Sequence, residues 1–318
     1  MIVLWADFQK TPAKNIVWGL TYSPLDAQGL GLDPHKTYLA TLDELKPNKV
    51  RLMAYWNHIE GSDGHFDYSE LDYEVAEASK RGIPYVIAVG QRVPRYPECY
   101  IPDWAAKMPY TDKQSKLMRF IQTTVTRYDK NPELSAWQIE NEATLGTFGV
   151  CPKFDQAGLK DEIKLMRSLT HKELVMTDSG ELSLWVANSG YSDTFGTTLY
   201  RAVLNGRGNN GVFHHFIPSF AYTLRAAIVK VIHPNITKVI VAELQAEPWG
   251  DKALNQSTKA DFDRTMNHTQ FDRNIAFARN TGMAEVWMWG AEWWYYEKLH
   301  GDSYFWDTAA NLYQNSAR

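Results

Sequence analysis

Residues Ala136–Gly146 form the stretch AWQIENEATLG, which begins like a buried β-strand and then turns abruptly polar. Glu140, Asn141 and Glu142 stand where a strand inside a core would continue with apolar side chains. A charge in a low-dielectric interior is costly unless it is paired or takes part in chemistry. The stretch therefore predicts a strand that carries functional side chains at its carboxyl end.

The whole chain has 318 residues, 44% of them hydrophobic, and a formal net charge of -4. This composition supports one large core, and no low-complexity linker divides the chain, so we interpret residues 1–318 as a single domain. Because the charge is nearly balanced and no block of like charges occurs, we expect neither a nucleic-acid nor a membrane partner. A small neutral ligand fits better, and the sequence carries no signal for an oligomeric state.

The first residues, Met1–Asp7, lack the basic start of a signal peptide, and no run of about 18 apolar residues occurs anywhere. We therefore expect a soluble protein, cytoplasmic as the sequence stands, or secreted if a leader has been removed. The two cysteines, Cys99 and Cys151, have no metal-binding spacing, and two unpaired thiols are the simpler expectation.

Short apolar and β-branched runs alternate along the chain with segments of helical periodicity, such as Leu117–Tyr128 and Phe220–Val231. This alternation predicts a parallel sheet, and eight such units are typical of a closed (β/α)8 barrel. A doubly wound open sheet is the alternative. The predicted strands are Ile16–Tyr22, Lys49–Ala54, Tyr85–Val89, Leu134–Ile139, Leu174–Thr177, Thr194–Leu199, Lys238–Ala242 and Glu285–Trp289.

In such a barrel the active site is built from the carboxyl ends of the strands and the loops that follow them. Carboxylates, amides and indoles occupy these ends and therefore gather at one rim. Glu142 and Glu243 end the fourth and seventh strands, and they are candidates for the pair of carboxyl groups that glycoside hydrolysis needs. Cys99 and Cys151 follow the neighbouring third and fourth strands, so a disulfide between them is a further hypothesis.

Three strand ends resemble a family pattern. Asn141-Glu142 on the fourth strand, Glu243 on the seventh and Trp289 on the eighth are similar to the retaining (β/α)8 glycoside hydrolases, the clan of cellulases, mannanases and β-galactosidases. Residues 138–146, QIENEATLG, look like a segment of barrel β-galactosidases, and residues 55–72, YWNHIEGSDGHFDYSELD, resemble the stretch after strand two there. The resemblance covers most of the chain from about Trp18 onward.

The resemblance implies that Glu142 is the general acid/base and Glu243 the nucleophile. It also implies that Asn141 hydrogen-bonds the sugar 2-hydroxyl, a contact that strengthens in the transition state. Arg51 would orient the nucleophile, Tyr200 would lie near it, and Trp289 would form the floor of the cleavage subsite.

Further strand-end residues are candidates for substrate binding, each with an ordinary structural alternative. The indole of Trp56 serves equally well as a sugar platform or as core packing. A loop salt bridge is as good an interpretation of Gln91, Arg92 and Arg95 as a contact to sugar hydroxyls. His58 directly follows strand two, and Glu292 is either a hydroxyl ligand or a surface charge.

Two other acids need an assignment. Glu247 lies four residues after Glu243 and is the rival nucleophile; Glu243 is preferred because Pro248 places Glu247 in the loop. Strand alternation places Glu140 on the same face as Glu142, where we expect it to pair with an arginine rather than to catalyse.

Together these features predict a retaining glycosidase that cleaves β-linked oligo- or polysaccharides by double displacement, without metal or cofactor. The alternatives are a catalytically inactive carbohydrate-binding barrel and a transglycosylase on the same site. A metal-dependent barrel hydrolase would want His-x-His after strand one, which Leu20–Pro24 lacks. Gly206–Gly211 matches G-x-G-x-x-G without the strand–helix context of a nucleotide site, so we interpret it as a loop.

Overall fold

The structure is a computed structural model and describes residues 15–204, 211–250 and 252–316. Eight parallel strands close into a barrel, in the order β1-β2-β3-β4-β5-β6-β9-β10 around the ring. The predicted (β/α)8 barrel is confirmed, and the open sheet is excluded. The barrel strands are β1 Val17–Thr21, β2 Lys49–Met53, β3 Tyr85–Val89, β4 Leu134–Ile139, β5 Glu173–Asp178, β6 Thr194–Leu199, β9 Lys238–Gln245 and β10 Glu285–Trp289.

A short hairpin that the sequence did not predict interrupts the connection between β6 and β9. Its strands, β7 Ala202–Leu204 and β8 Val212–His214, pair antiparallel outside the barrel. Residues 205–210, which include most of the Gly206–Gly211 motif, lie outside the described residues, as do the first residues on which the expectation about a leader rests.

Helices follow the strands and cover the barrel. Several begin at side-chain caps, such as Asp155, whose carboxylate accepts the backbone N–H groups of Ala157 and Gly158. No helix in the described part of the chain is long and apolar enough to cross a membrane. The α-helices are α1 Pro24–Gly29, α2 Pro34–Ala40, α3 Trp56–Ile59, α4 Ser69–Lys80, α5 Asp103–Ala106, α6 Tyr110–Tyr128, α7 Gln156–Leu169, α8 Val186–Ser189, α9 Ser219–Ile232, α10 Lys259–Asp263, α11 His268–Asn280, α12 Ala291–Leu299 and α13 Tyr304–Gln314.

The two helical patterns singled out in the sequence have different outcomes. In α6 the predicted apolar stripe is buried against the barrel. In α9 the helix is confirmed, but Leu224, Ile228 and Val231 of its stripe are exposed. The opposite face of α9 carries the buried contact instead. There Tyr222 is fully buried and donates a hydrogen bond to Glu181 at 2.9 Å.

A disulfide joins the loops that follow β3 and β4. Cys99 and Cys151 are bonded, with their Cα atoms 5.2 Å apart. The expectation of two unpaired thiols is therefore wrong, and the hypothesis of a disulfide is confirmed. Because these loops leave neighbouring strands, the bond fixes two parts of the carboxyl rim relative to each other.

Candidate active site

The backbone bends sharply where β4 ends. Glu140 and Glu142 have positive φ angles of 51° and 43°, so the alternation of side chains stops with the strand. Glu140 turns toward the loop after β3 and accepts the backbone N–H groups of Gln91 and Arg92, each at 2.8 Å. The expected pairing of Glu140 with an arginine side chain is wrong, because the bend brings its carboxylate to backbone amides. Glu140 thus fastens a neighbouring loop.

A bulge in β9 decides the direction of Glu243. Against β6, Thr197 pairs with Val241 and Thr198 pairs with Glu243, so Ala242 is an extra residue on β9. Bulges of this kind re-aim a side chain while the strand continues. The strand accordingly runs to Gln245, and its predicted end at Ala242 is wrong.

A donor on β2 and a donor directly after β6 hold the Glu243 carboxylate. Arg51, which is fully buried on β2, donates to Glu243 Oε1 at 3.1 Å, and the Tyr200 hydroxyl donates to Oε2 at 3.0 Å. Arg51 is itself fixed by Thr21 Oγ1 and Gln138 Oε1, both at 2.9 Å. Each oxygen of Glu243 therefore accepts a hydrogen bond, and the carboxylate has one defined orientation.

The Glu142 carboxyl group has a contrasting environment. Its backbone N–H donates to Thr177 Oγ1 at 3.0 Å, and its side chain is buried. Burial raises the pKa of Glu142 well above its ordinary value, and the negative charges of Glu243 and Glu98 raise it further. The chain thus places a proton-holding carboxyl group beside an oriented carboxylate, which is the combination that acid–base chemistry requires.

Asn141 lies between these groups with a fixed amide. Its Oδ1 accepts from Gln138 Nε2 and Thr177 Oγ1, both at 3.0 Å, so its Nδ2 is the donor end. Nδ2 donates to Glu98 Oε2 at 3.1 Å. Burial, followed by the charge of Glu243, raises the pKa of Glu98 to about 7. Glu98 is therefore a third acid beside the predicted pair, and we refer to Arg51, Glu98, Glu142 and Glu243 as the Arg51 cluster.

A second cluster of acids surrounds Arg95 on the same rim. Its guanidinium pairs with Glu247, donates to Glu292 Oε2 at 2.8 Å and lies 3.3 Å from Asp26 Oδ2. It also covers the Trp289 ring at 4.1 Å, while Trp289 Nε1 donates to Glu247 Oε1 at 2.6 Å. We refer to Arg95, Asp26, Glu247 and Glu292 as the Arg95 cluster. It orients the predicted floor of the cleft.

The charges of the Arg95 cluster are only partly balanced. Burial raises the pKa of Glu247 to about 7 and that of Glu292 to about 8, although Arg95 opposes both shifts. Oxygens of Asp26, Glu247 and Glu292 lie within 4.8 Å of one another, a spacing at which carboxylates can bind a cation. The Arg95 guanidinium supplies a positive charge to all three, and the absence of a metal requirement remains a prediction.

Two predicted substrate contacts have structural roles. Trp56 is fully buried, donates to Glu60 Oε2 at 2.9 Å and stacks on Phe120, so the indole belongs to the core. Arg92 is also buried, and its guanidinium donates to the backbone carbonyls of Leu145 and Phe148 at 2.6 Å and 3.1 Å. The predicted sugar contact of Trp56 is therefore wrong, because this side chain has no exposed surface, whereas Arg92 ties two loops together and its sugar contact stays a prediction.

The remaining candidates differ in accessibility. Gln91 is bound through its backbone to Glu140, and its side-chain Oε1 is a buried acceptor without a partner among the described residues. His58 is exposed beside the rings of Tyr55 and Tyr100. Glu292 is completely buried, so the surface-charge interpretation is wrong. Its carboxylate pairs with Arg95 in the interior of the protein.

The structure thus links Arg51, Asn141, Glu142, Tyr200, Glu243 and Trp289 into one connected set, while their roles stay predictions. Sequence reasoning missed Glu98, in the irregular loop after β3, whereas Arg95 of the same loop forms the salt bridges that were one of its two interpretations. It also missed Gln138, although alternation from Glu140 placed this amide inside the barrel. Trp249 packs beside Tyr200 at 4.9 Å and adds a further rim indole, signalled by Pro248 and Gly250 around it.

Comparisons with known proteins place the barrel among glycoside hydrolase structures. GH5_18 from Bifidobacterium longum has a TM-score of 0.60 and 13% identity, covering 96% of this chain and 81% of that one. A family 10 endo-β-1,4-xylanase from Gloeophyllum trabeum has a TM-score of 0.58 and 14% identity, covering 87% and 84%. A β-galactosidase from Marinomonas ef1 has a TM-score of 0.56 and 11% identity, covering 86% and 54%.

No protein-family model and no curated protein matches the sequence. At these identities the structural likeness establishes a shared barrel fold. The resemblance seen in the strand ends is confirmed at that level: this chain has the same (β/α)8 architecture as the glycoside hydrolases that its motifs resemble.

Proposed function

We propose that the protein is a retaining glycosidase that hydrolyses β-glycosidic bonds of oligo- or polysaccharides. The observation that carries this proposal is the contrast between two buried carboxyl groups at the carboxyl rim. Glu243 accepts hydrogen bonds on both oxygens from Arg51 and Tyr200, whereas burial and neighbouring charge favour the protonated form of Glu142. A glycosidase needs one carboxylate to attack and one carboxylic acid to protonate the leaving oxygen.

In the first step, a Glu243 oxygen forms a bond to the anomeric carbon while the bond from that carbon to the leaving oxygen breaks. Glu142 transfers its proton to the leaving oxygen, which departs as an alcohol. In the second step, Glu142, now a carboxylate, removes a proton from water as the water oxygen displaces Glu243. Two inversions at one carbon give net retention.

The residues around the pair support these steps. The Arg51 and Tyr200 hydrogen bonds aim the attacking carboxylate. Burial and the charge of Glu243 keep the pKa of the Tyr200 hydroxyl well above its ordinary value, so Tyr200 remains a donor. Trp289 offers an apolar face held by Arg95 and Glu247, and such faces bind the C–H surfaces of sugars.

The fold neighbours agree with a β-linked substrate. The Gloeophyllum trabeum protein is named an endo-β-1,4-xylanase, and a Streptomyces cattleya GH5_18 variant was solved in complex with Manβ1-4GlcNAc. These names belong to those proteins. For this chain they support a panel of β-glucosides, β-galactosides, β-mannosides and β-xylosides as the first substrates.

Mass spectrometry after incubation with a 2-deoxy-2-fluoro glycoside tests the proposal. We expect a covalent glycosyl adduct on Glu243, and NMR of the product from an active aryl β-glycoside should show retained anomeric configuration. An inverted product, or an adduct on Glu247, would contradict the assignment. Activity should persist in EDTA, since no step uses a metal ion.

A further inference from the structure

Glu98 is an acid in the site that neither motif order nor strand position indicated. Its residue is only 4% exposed, and its carboxylate lies beside the donor end of Asn141. The Asn141 and Arg92 contacts, at 3.1 Å and 3.5 Å, both fall on Oε2. Among the described residues these side-chain contacts leave Oε1 as the oxygen of this carboxylate that can serve a bound molecule.

The chain holds Glu98 in a conformation that costs free energy. Its φ angle is 72°, in the left-handed region that side chains larger than glycine rarely adopt. Strained residues of this kind persist where the surrounding structure over-determines them, and they cluster at functional sites. Four of the six non-glycine residues with positive φ in the described chain belong to this rim: Arg95, Glu98, Glu140 and Glu142.

A disulfide and a close packing contact from the loop after β4 fix the same position. The next residue, Cys99, is bonded to Cys151 in the loop after β4. In that loop Gly149 approaches so closely that a Cβ on it would lie 2.8 Å from Glu98 Cβ. A side chain at position 149 would push Glu98 away from Asn141. The geometry at Glu98 is thus enforced from both loops.

Asn141 and Glu98 together present complementary hydrogen-bonding groups. The Asn141 amide cannot turn, because Gln138 and Thr177 both donate to its Oδ1. Its Nδ2 has two hydrogens and uses one for Glu98. The second is a donor with a carboxylate acceptor next to it, and a hydroxyl group can satisfy both by accepting from the amide and donating to the acid.

Resting on the proposed function, we infer that Glu98 is a specificity-determining residue that accepts a hydrogen bond from the hydroxyl at C2 of the sugar whose bond is cleaved. Asn141 supplies the donor and Glu98 the acceptor, so the pair recognises a C2 substituent able to do both. A substrate with hydrogen at C2 leaves a buried carboxylate and an amide without their partner, which a site of this kind penalises strongly.

The test compares a substrate pair on three enzymes. The substrates are the aryl β-glycoside that wild type hydrolyses fastest and its 2-deoxy counterpart, and the enzymes are wild type, Glu98→Gln and Glu247→Gln. In wild type we expect the 2-deoxy substrate to have a much lower kcat/KM than its parent glycoside. In Glu98→Gln this loss should be smaller by about 10-fold or more, because the charged acceptor is already gone. Glu247→Gln, a buried acid of the other cluster, should show the wild-type factor.

Equal 2-deoxy factors in wild type and Glu98→Gln would overturn the inference, since a purely structural Glu98 lowers both rates alike. Absence of hydrolysis by wild type on every β-glycoside is a different result and removes the proposed function itself. If Glu98→Gln does not fold, Glu98→Asp retains the charge and withdraws the oxygen, with the same expectation. A crystal structure of wild type with the product sugar decides independently: Glu98 within about 3.2 Å of O2 supports the contact, and a clearly longer separation excludes it.

Discussion

The two acid clusters of the rim are similar in composition, but their arginines make different contacts. Each contains one buried arginine and three carboxyl groups, and Trp289 lies between them, 5.8 Å from the Arg51 guanidinium and 4.1 Å from that of Arg95. Arg95 contacts all three of its acids. Of the three acids in its own cluster, Arg51 donates to Glu243, and its other N–H groups donate to Thr21 and Gln138.

Under the proposed function, we interpret this difference as that between a structural cluster and a chemical one. A cation shared among three acids fixes geometry without distinguishing the acids from one another. A cation placed against Glu243 leaves Glu142 to hold a proton, because burial and the negative charges around Glu142 disfavour its ionised form. The Arg51 cluster therefore gives Glu142 and Glu243 different environments. Acid–base and nucleophilic chemistry need such a difference.

The largest expected effect distinguishes Glu243 from Glu247, four residues apart on one strand end. We expect Glu243→Gln to lower kcat on the order of 10⁴-fold, as loss of a catalytic nucleophile does. Glu247→Gln removes a charged hydrogen bond to Arg95 and Trp289, so we expect about a 10- to 100-fold loss in kcat/KM. Steady-state kinetics on one aryl glycoside measures both.

If the larger loss followed Glu247→Gln, the assignment of the two clusters would be reversed. Far-UV circular dichroism of both variants guards against a difference in folding. If azide restores activity to Glu243→Gln and the product has inverted configuration, this result would add support for Glu243 as the nucleophile.

Second in size is a stability effect in the Arg95 cluster. Arg95→Met leaves Asp26, Glu247 and Glu292 without their shared cation, and breaking a buried charge network costs about 3–5 kcal/mol. Urea unfolding at pH 8 measures this free energy. Arg127→Met is the matched control, because its pair with Asp72 is exposed and such pairs contribute about 1 kcal/mol or less. Equal losses in the two variants would show that the Arg95 cluster is not structural.

The sequence was sufficient for the barrel because each barrel strand coincides with a short run rich in apolar and β-branched residues. It was also sufficient for Glu142 and Glu243, since both stand at the end of such a run. It was not sufficient where the backbone departs from regular geometry. Glu140 turns outward through a positive φ, and the bulge at Ala242 extends β9, and neither feature has a periodic signature.

Loop residues escaped prediction for a related reason. Glu98 was not predicted, nor were the acids that surround Arg95, because a disulfide and the folded loop after β3 bring these groups to the site. Trp56 could not be assigned from the sequence, because an indole after a strand serves core and cleft equally well. Its partners Phe120 and Glu60 decide the matter, and their proximity depends on how α3 and α6 pack.

The raised pKa values of the two clusters predict how wild-type stability depends on pH. Glu98, Glu247 and Glu292 have folded pKa values of about 7, 7 and 8, against an ordinary value of 4.5. Between these limits the folded state binds more protons than the unfolded state, so stability falls as pH rises. We expect the thermal midpoint to drop by several degrees from about pH 5 to pH 8.5.

Calorimetry across that range measures the slope, and Glu292→Gln should flatten it because one of the raised carboxyl groups is gone. The exposed aspartates with lowered pKa values, such as Asp43 and Asp63, act only at more acidic pH. A midpoint that rises from pH 5 to pH 8.5 would contradict the assigned environments of these glutamates.

The smallest effect tests whether the acids of the Arg51 cluster act on one another. The pKa of Glu142 is raised by burial and by Glu243, Glu98 and Asp178, while Arg92 lowers it. Replacing Glu98 with Gln removes one negative charge and leaves Arg92 less neutralised, so both changes favour ionised Glu142. The alkaline limb of kcat/KM should therefore move to lower pH, which a pH–rate profile of the two enzymes measures.

Glu292→Gln, in the other cluster, should leave that limb in place. If Glu98→Gln moved the limb to higher pH, the limb would report ionisation of Glu98 rather than of Glu142. Without the Glu98 carboxyl group, its ionisation could no longer lower kcat/KM at alkaline pH. The direction of the shift thus identifies which carboxyl group delivers the proton, and it does so without any assumption about the identity of the sugar.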